Sequence, residues 1–140
     1  MNVVVDASVI VKWVFPESET EEHVEQALEL LAGIKDGKVT LLQPPHWLVE
    51  VAAVVTRLRP ELAEPALDLL DAMELPIVDD LPVLKRASRI AHDLDHHVFD
   101  TLYHADALEY DHTLVTADDR YFRKAKHLGR MVPLQSWPKG

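Results

Sequence analysis

The sequence predicts an α/β domain with a mainly parallel sheet, and three features carry that expectation. Val3-Val4-Val5 and Thr113-Leu114-Val115-Thr116 are short β-branched runs without polar alternation, as in strands buried on both faces. Segments with apolar residues at helical spacing lie between them. Strands that alternate with helices in this way pair in parallel.

Taken in order, Val3–Val5 is the first strand, ended by Asp6-Ala7-Ser8, and Val9 to Val14 turns helical before Pro16. Thr20 to Asp36 places Val24, Ala27, Leu28, Leu31 and Ile34 at helical spacing, with Gly37 as a stop. Val39 to Leu42 reads as a second strand. Pro44-Pro45 open a helix to about Arg59, with Trp47, Leu48, Val51, Val54, Val55 and Leu58 on one side; Pro60 breaks it. Helices are expected at Glu61–Met73, Leu81–Leu94, Asp100–Tyr110 and Asp118–His127. Short strands are expected at Ile77-Val78 and Met131-Val132-Pro133.

The 140 residues match one domain, 1–140, with no internal repeat or linker-like stretch. A hydrophobic fraction of 48% with 27% charged residues is globular and argues against intrinsic disorder. With no cysteine, disulfides, thiolate zinc sites and a cysteine nucleophile are excluded. Met1 to Ile10 lacks a basic leader and carries an aspartate, and no stretch approaches the ~20 apolar residues of a membrane span. A soluble cytoplasmic domain is the expectation. The net charge of −10 is wrong for a protein that merely coats nucleic acid, but suits metal-occupied carboxylates with grouped basic residues, or a basic protein partner.

Ligands of a parallel sheet gather beyond the carboxyl ends of its strands. Asp6 stands at the end of the first strand, and Asp118, with Asp119 beside it, just past the Thr113–Thr116 strand. Each taken alone is equally well explained as a helix N-cap. Glu50 lies one turn from Trp47 and Val54, and Asp100 shares a face with Tyr103, His104 and Ala107. A carboxylate turned toward a core is costly unless it is paired or binds metal, although a single one of them is explained by a salt bridge or a rim position. Hard oxygen donors without thiolates suit Mg²⁺ or Mn²⁺, and such a cluster activates water against a phosphodiester.

Four segments then resemble the PIN-domain nucleases, and most of all the VapC toxins of type II toxin–antitoxin systems: Val-Val-Asp6-Ala-Ser8, Pro-Pro-His-Trp-Leu-Val-Glu50-Val-Ala, Phe-Asp100-Thr-Leu-Tyr-His-Ala-Asp-Ala-Leu and Leu-Val-Thr116-Ala-Asp118-Asp119-Arg-Tyr-Phe. Each is a weak signal alone; all four in order, across essentially the whole chain, are a strong one. The resemblance implies a PIN-like three-layer α/β/α domain and a metal-dependent endoribonuclease that hydrolyses RNA with a metal-activated water, leaving a 5′-phosphate and a 3′-hydroxyl. Asp6, Glu50, Asp100 and Asp118 take the catalytic and metal-binding positions for one or two Mg²⁺ or Mn²⁺ ions, supported by Ser8 and Thr116. A cognate VapB-type antitoxin and a homodimer are implied as well.

Arg120, Arg123, Lys124, Lys126 and Arg130 gather after Asp118 and read as an RNA-phosphate patch or a solvated helix face; Lys12, Arg57 and Arg59 are lesser candidates. His92 and His96 have the spacing of zinc ligands but fit a surface helix end better. His104 is the better placed of His97 and His104 to touch substrate, yet neither belongs to the catalytic set. Asp119 can exchange roles with Asp118, and Asp106 and Asp111 are expected to face solvent. The Trp13-Val14-Phe15 run, the Glu61–Met73 helix and Trp137 fit ordinary core, a dimer face or an antitoxin groove. A receiver domain needs a paired acid near the first strand and a late lysine, and a haloacid-dehalogenase-type phosphatase needs an acid where Ser8 stands; both are disfavoured. The competing reading is a catalytically silent PIN-like domain that binds RNA or protein; such a domain is expected to lose one of the four acids, and all are present.

Overall fold

The computed structural model describes residues 1–17 and 21–138. Strand β1 (Asn2–Val5) leads into helix α1 (Ala7–Val14), followed by α2 (Val24–Lys35) and β2 (Thr40–Leu41). Helices α3 (Trp47–Leu58), α4 (Pro60–Asp71), α5 (Leu81–Leu94) and α6 (Val98–Tyr110) come next, then β3 (Thr113–Thr116), α7 (Asp119–Ala125), a 3₁₀ turn (Lys126–Leu128) and β4 (Met131–Pro133). Among the described residues the strands form one parallel sheet in the order β2-β1-β3-β4. Val3, Val4 and Val5 alternate between its two faces and all are 0% exposed, so helices cover both. This is the three-layer α/β/α arrangement expected from the sequence.

Most elements fall where their patterns place them, and the differences have local causes. The predicted start of the second helix at Thr20 lies outside the described residues; α2 begins at Val24. Pro44-Pro45 precede α3 instead of opening it, because Trp47 N–H closes a turn on the Pro44 carbonyl. Pro60 is the first residue of α4, where its missing N–H costs nothing. Ile77-Val78 is no strand: it makes one parallel bridge, Gln43 with Ile77, and Ile77 stays 52% exposed. The helix after Asp118 ends at Ala125 and tightens into the 3₁₀ turn. No described helix is long and apolar enough to cross a membrane.

The two central strands, β1 and β3, run side by side from Val3–Thr113 to Val5–Val115. Parallel pairing in that register brings Asp6 and Asp118 to the same edge of the sheet. Gln43 seals the end of β1: its side-chain amide accepts from Val5 N–H and donates to Val5 C=O, both at 2.8 Å, like one more strand residue. Asp6 follows directly, its N–H bonded to Val115 C=O at 3.0 Å.

Candidate active site

Asp6 begins α1 without capping it through its side chain. Its carboxylate instead accepts from the Ser8 hydroxyl and, at 3.2 Å, from the Thr116 hydroxyl. Those hydroxyls also brace the opposite strand end, since Ser8 Oγ accepts from Ala117 N–H at 3.1 Å and Thr116 Oγ1 from Asp118 N–H at 3.0 Å. Asp118 does cap α7, with Oδ1 accepting from Tyr121 N–H at 3.0 Å. The N-cap explanation therefore applies to Asp118 and fails for Asp6.

The other two acids arrive from the helices. Glu50 on α3 accepts from the Tyr103 hydroxyl at 2.7 Å and contacts His46 Nε2 at 3.2 Å. Asp100 on α6 contacts His96 Nε2 at 2.7 Å. Asp6, Glu50, Asp100 and Asp118 line one cleft of about 520 Å³, together with Ser8, Lys12, Glu21 and Arg57. Asp119 is exposed and is not part of that wall. Burial pushes the Asp6 carboxyl up to about 7; the Ser8 hydrogen bond opposes this, while the charges of Asp100, Glu50 and Asp118 add to it. Burial also drives the Tyr103 hydroxyl far above the ordinary phenol range, so it remains a hydrogen-bond donor to Glu50. His46 titrates above its ordinary value: burial works against the charged ring, but the Glu50 hydrogen bond and charge, the Phe99 carbonyl and Asp106 outweigh it.

A divalent cation suits the donor chemistry of this cleft. Its four acids supply only oxygen, and His46 and His96 turn their cleft-side nitrogens onto Glu50 and Asp100. Three carboxylates crowd a fourth that is already forced toward neutrality, a repulsion that a cation relieves. Among the described residues no three His, Cys, Asp or Glu side chains close to a metal-cage spacing. The four acids line the cleft without closing to such a cage.

The histidines differ from expectation. His92 is exposed, and His96 is committed to Asp100 and Lys124, so the pair makes no zinc site. His104 does not reach the cleft: it is buried, with Nδ1 on the Tyr121 hydroxyl at 2.9 Å and Nε2 on the Gly129 carbonyl at 2.7 Å. Burial accordingly lowers its pKa. Asp106 is not solvent-facing but 0% exposed, and neither carboxyl oxygen has a partner among the described residues. Asp111 is exposed as expected, paired with Arg130 at 2.9 Å. Of the basic residues, Lys12 lines the cleft paired with Glu21, Arg59 is paired with Glu61, and Arg57 lines the cleft with no carboxylate within ion-pair distance among the described residues. Two residues that hold the site, Gln43 and His46, were not among the predicted site residues; for His46 the signal lay in its place one turn before Glu50. Trp13, Phe15 and Trp137 belong to the core.

The PIN domain family model matches residues 3–128. The chain belongs to the PIN domain family. Among solved structures, this PIN chain is similar to VapBC2 from Rickettsia felis bound to a DNA fragment from their promoter, with a TM-score of 0.65 and 18% identity over 95% of this chain and 97% of that one. PAE2754 from Pyrobaculum aerophilum matches with a TM-score of 0.66 and 18% identity over 97% and 91%. A toxin–antitoxin complex from Klebsiella pneumoniae matches with a TM-score of 0.64 and 12% identity over 94% and 97%. At these identities the likeness is one of fold. No curated protein matches the PIN chain significantly.

Proposed function

We propose that this chain is a single-domain, Mg²⁺- or Mn²⁺-dependent endoribonuclease of the VapC type, acting in the cytoplasm as the toxin of a toxin–antitoxin pair. One observation carries the reading: four carboxylates from four separate elements converge on one cleft at the carboxyl edge of a PIN sheet. Asp6, Asp100 and Glu50 would hold the first ion, with Asp118 contributing to it or to a second. When bound, such an ion lowers the pKa of a water and neutralises charge on the phosphoryl oxygens.

This chain's own residues do the positioning. Ser8 and Thr116 aim Asp6, Tyr103 and His46 aim Glu50, and His96 aims Asp100. Arg57 stands on the wall to meet a phosphate. Cleavage leaves a 5′-phosphate and a 3′-hydroxyl. A VapB-type antitoxin and a second copy of the chain are the proposed protein partners. An apolar groove of about 400 Å³, lined by Trp13, Val14, Leu31, Leu62, Leu69 and Met73, supports an amphipathic antitoxin helix as occupant.

The test is cleavage of a labelled structured RNA by antitoxin-free protein with Mg²⁺, Mn²⁺ or EDTA, beside Asp6→Asn. Metal-dependent cutting that is lost in the variant is expected. A folded protein that binds Mn²⁺ yet cuts no RNA would be a silent PIN domain, and one that binds no metal has no four-acid site.

A further inference from the structure

Beside the carboxylate cleft lies a smaller hollow of about 200 Å³, walled by Asp95, His96, His97, Arg120 and Lys124. Lys124 is half-buried, and its ammonium donates to the Asp95 carbonyl at 3.1 Å and to His96 Nδ1 at 3.2 Å. Neither acceptor is a carboxylate, so the ammonium is held in place without an ion pair among the described residues. Four other cations are paired with carboxylates: Lys12 with Glu21, Arg59 with Glu61, Arg86 with Glu109 and Arg130 with Asp111. Arg120, one turn before Lys124 on the same face of α7, has no carboxylate within ion-pair distance among the described residues. His97 is exposed and packs edge-on against His96, ring centroids 5.9 Å apart. The single carboxylate in the wall, Asp95, is exposed and likewise unpaired among the described residues.

His96 ties this hollow to the cleft. Because Lys124 donates to Nδ1, the ring proton sits on Nε2 and is donated to Asp100 Oδ2 at 2.7 Å. A chain with a net charge of −10, carrying four acids in its cleft, repels a polyanion unless fixed cations meet the strand where it leaves. We propose that the hollow of His97, Arg120 and Lys124 seats one RNA backbone phosphate next to the scissile one, and that Lys124 and His96 link that seat to the orientation of Asp100. The inference rests on the ribonuclease reading. It also divides the basic cluster, for Arg123 and Lys126 lie outside the hollow that Arg120 and Lys124 wall.

The test compares Arg120→Gln with Arg123→Gln, the same charge lost from the same helix, in the full chain. Binding of a labelled RNA in EDTA is followed across a salt series. Arg120→Gln is expected to weaken binding several-fold and to reduce the slope of log K against log salt by about one, with a much smaller effect for Arg123→Gln. A substrate set with one neutral methylphosphonate moved along the backbone is expected to bind wild type poorly at one position, a penalty that Arg120→Gln no longer shows. Lys124→Gln is expected to lower Mn²⁺ affinity, and Arg120→Gln to leave it unchanged. Equal behaviour of the two arginine variants overturns the seat while a metal-dependent wild-type nuclease keeps the function. Loss of a basic or acidic protein partner with unaltered RNA binding reassigns the hollow and overturns the proposal. A wild-type chain that neither binds nor cuts RNA overturns both.

Discussion

Asp6 and Asp106 are both aspartates whose carboxyls burial drives up, to about 7 and about 8, yet their surroundings are opposite. Asp6 faces an open cleft, accepts from two hydroxyls and shares its space with three more acids. Asp106 is sealed inside the molecule with no hydrogen-bond partner among the described residues; after burial, the charge of Asp80 raises it and His46 opposes. The same physical effect yields two different objects. At the cleft, crowded carboxylates with donors behind them would be relieved by a cation entering from solvent. Inside, the group simply keeps its proton and remains a neutral acid at neutral pH. A raised carboxyl therefore marks a metal-type site only when it is accessible and braced.

The largest expected effect separates the two regions directly. Asp6→Asn should reduce single-turnover RNA cleavage by more than about 100-fold, beyond the range seen when only a supporting group is lost. Its melting temperature without metal should stay level or rise, because one of four mutually repelling carboxylates is gone. A large fall in melting temperature would make Asp6 a structural residue and erase the contrast with Asp106. Next comes Tyr103→Phe, which keeps the buried ring but removes the donor to Glu50. A loss of about 10- to 100-fold in Mn²⁺ affinity or cleavage rate is expected. If neither moves, His46 alone suffices to hold Glu50.

Asp106→Leu should leave cleavage within about twofold but change the pH dependence of stability. The folded acid holds its proton to about pH 8, whereas the unfolded one releases it near 3.8. Within that window unfolding releases the Asp106 proton, so this group's contribution makes stability decline as pH rises, by at most about 1.4 kcal/mol per pH unit, and Asp6 adds a like contribution up to about pH 7. Thermal melts of Asp106→Leu from pH 5 to 8 should therefore show a shallower decline than wild type, with the clearest difference between pH 7 and 8, and gain a few degrees at pH 8. Lost cleavage in a folded Asp106→Leu protein would join the buried acid to the cleft and break the comparison. The smallest effect belongs to a third environment. Asp111→Asn removes only an exposed pair with Arg130, and is expected to change stability by less than about 1 kcal/mol with no effect on cleavage.

Much of this was legible in the chain because it is local. Val3–Val5 and Thr113–Thr116 announce buried strands through unbroken β-branched apolar runs, and Asp6 and Asp118 are found simply because they follow those runs. Glu50 betrays itself by standing one turn from Trp47 and Val54. Asp106 escaped this logic because Thr101 and Tyr103 through Ala107 are all buried. A helix enclosed all round shows no polar stripe against which an inward acid can be recognised. Gln43 escaped it for another reason, acting on Val5 38 residues away; His46 stands one turn before Glu50, but its ring is also held by the Phe99 carbonyl 53 residues away.

What the sequence by itself determined is the order of strands and helices and the acids at their ends, since periodicity and strand termini are properties of neighbouring residues. Tertiary structure alone decided that Tyr103 donates to Glu50, that Gln43 seals β1, and that Asp106 is buried with no partner among the described residues. Those outcomes depend on parallel strand pairing and on α3 and α6 bringing residues from distant parts of the chain to one edge of the sheet, a convergence that no local pattern records.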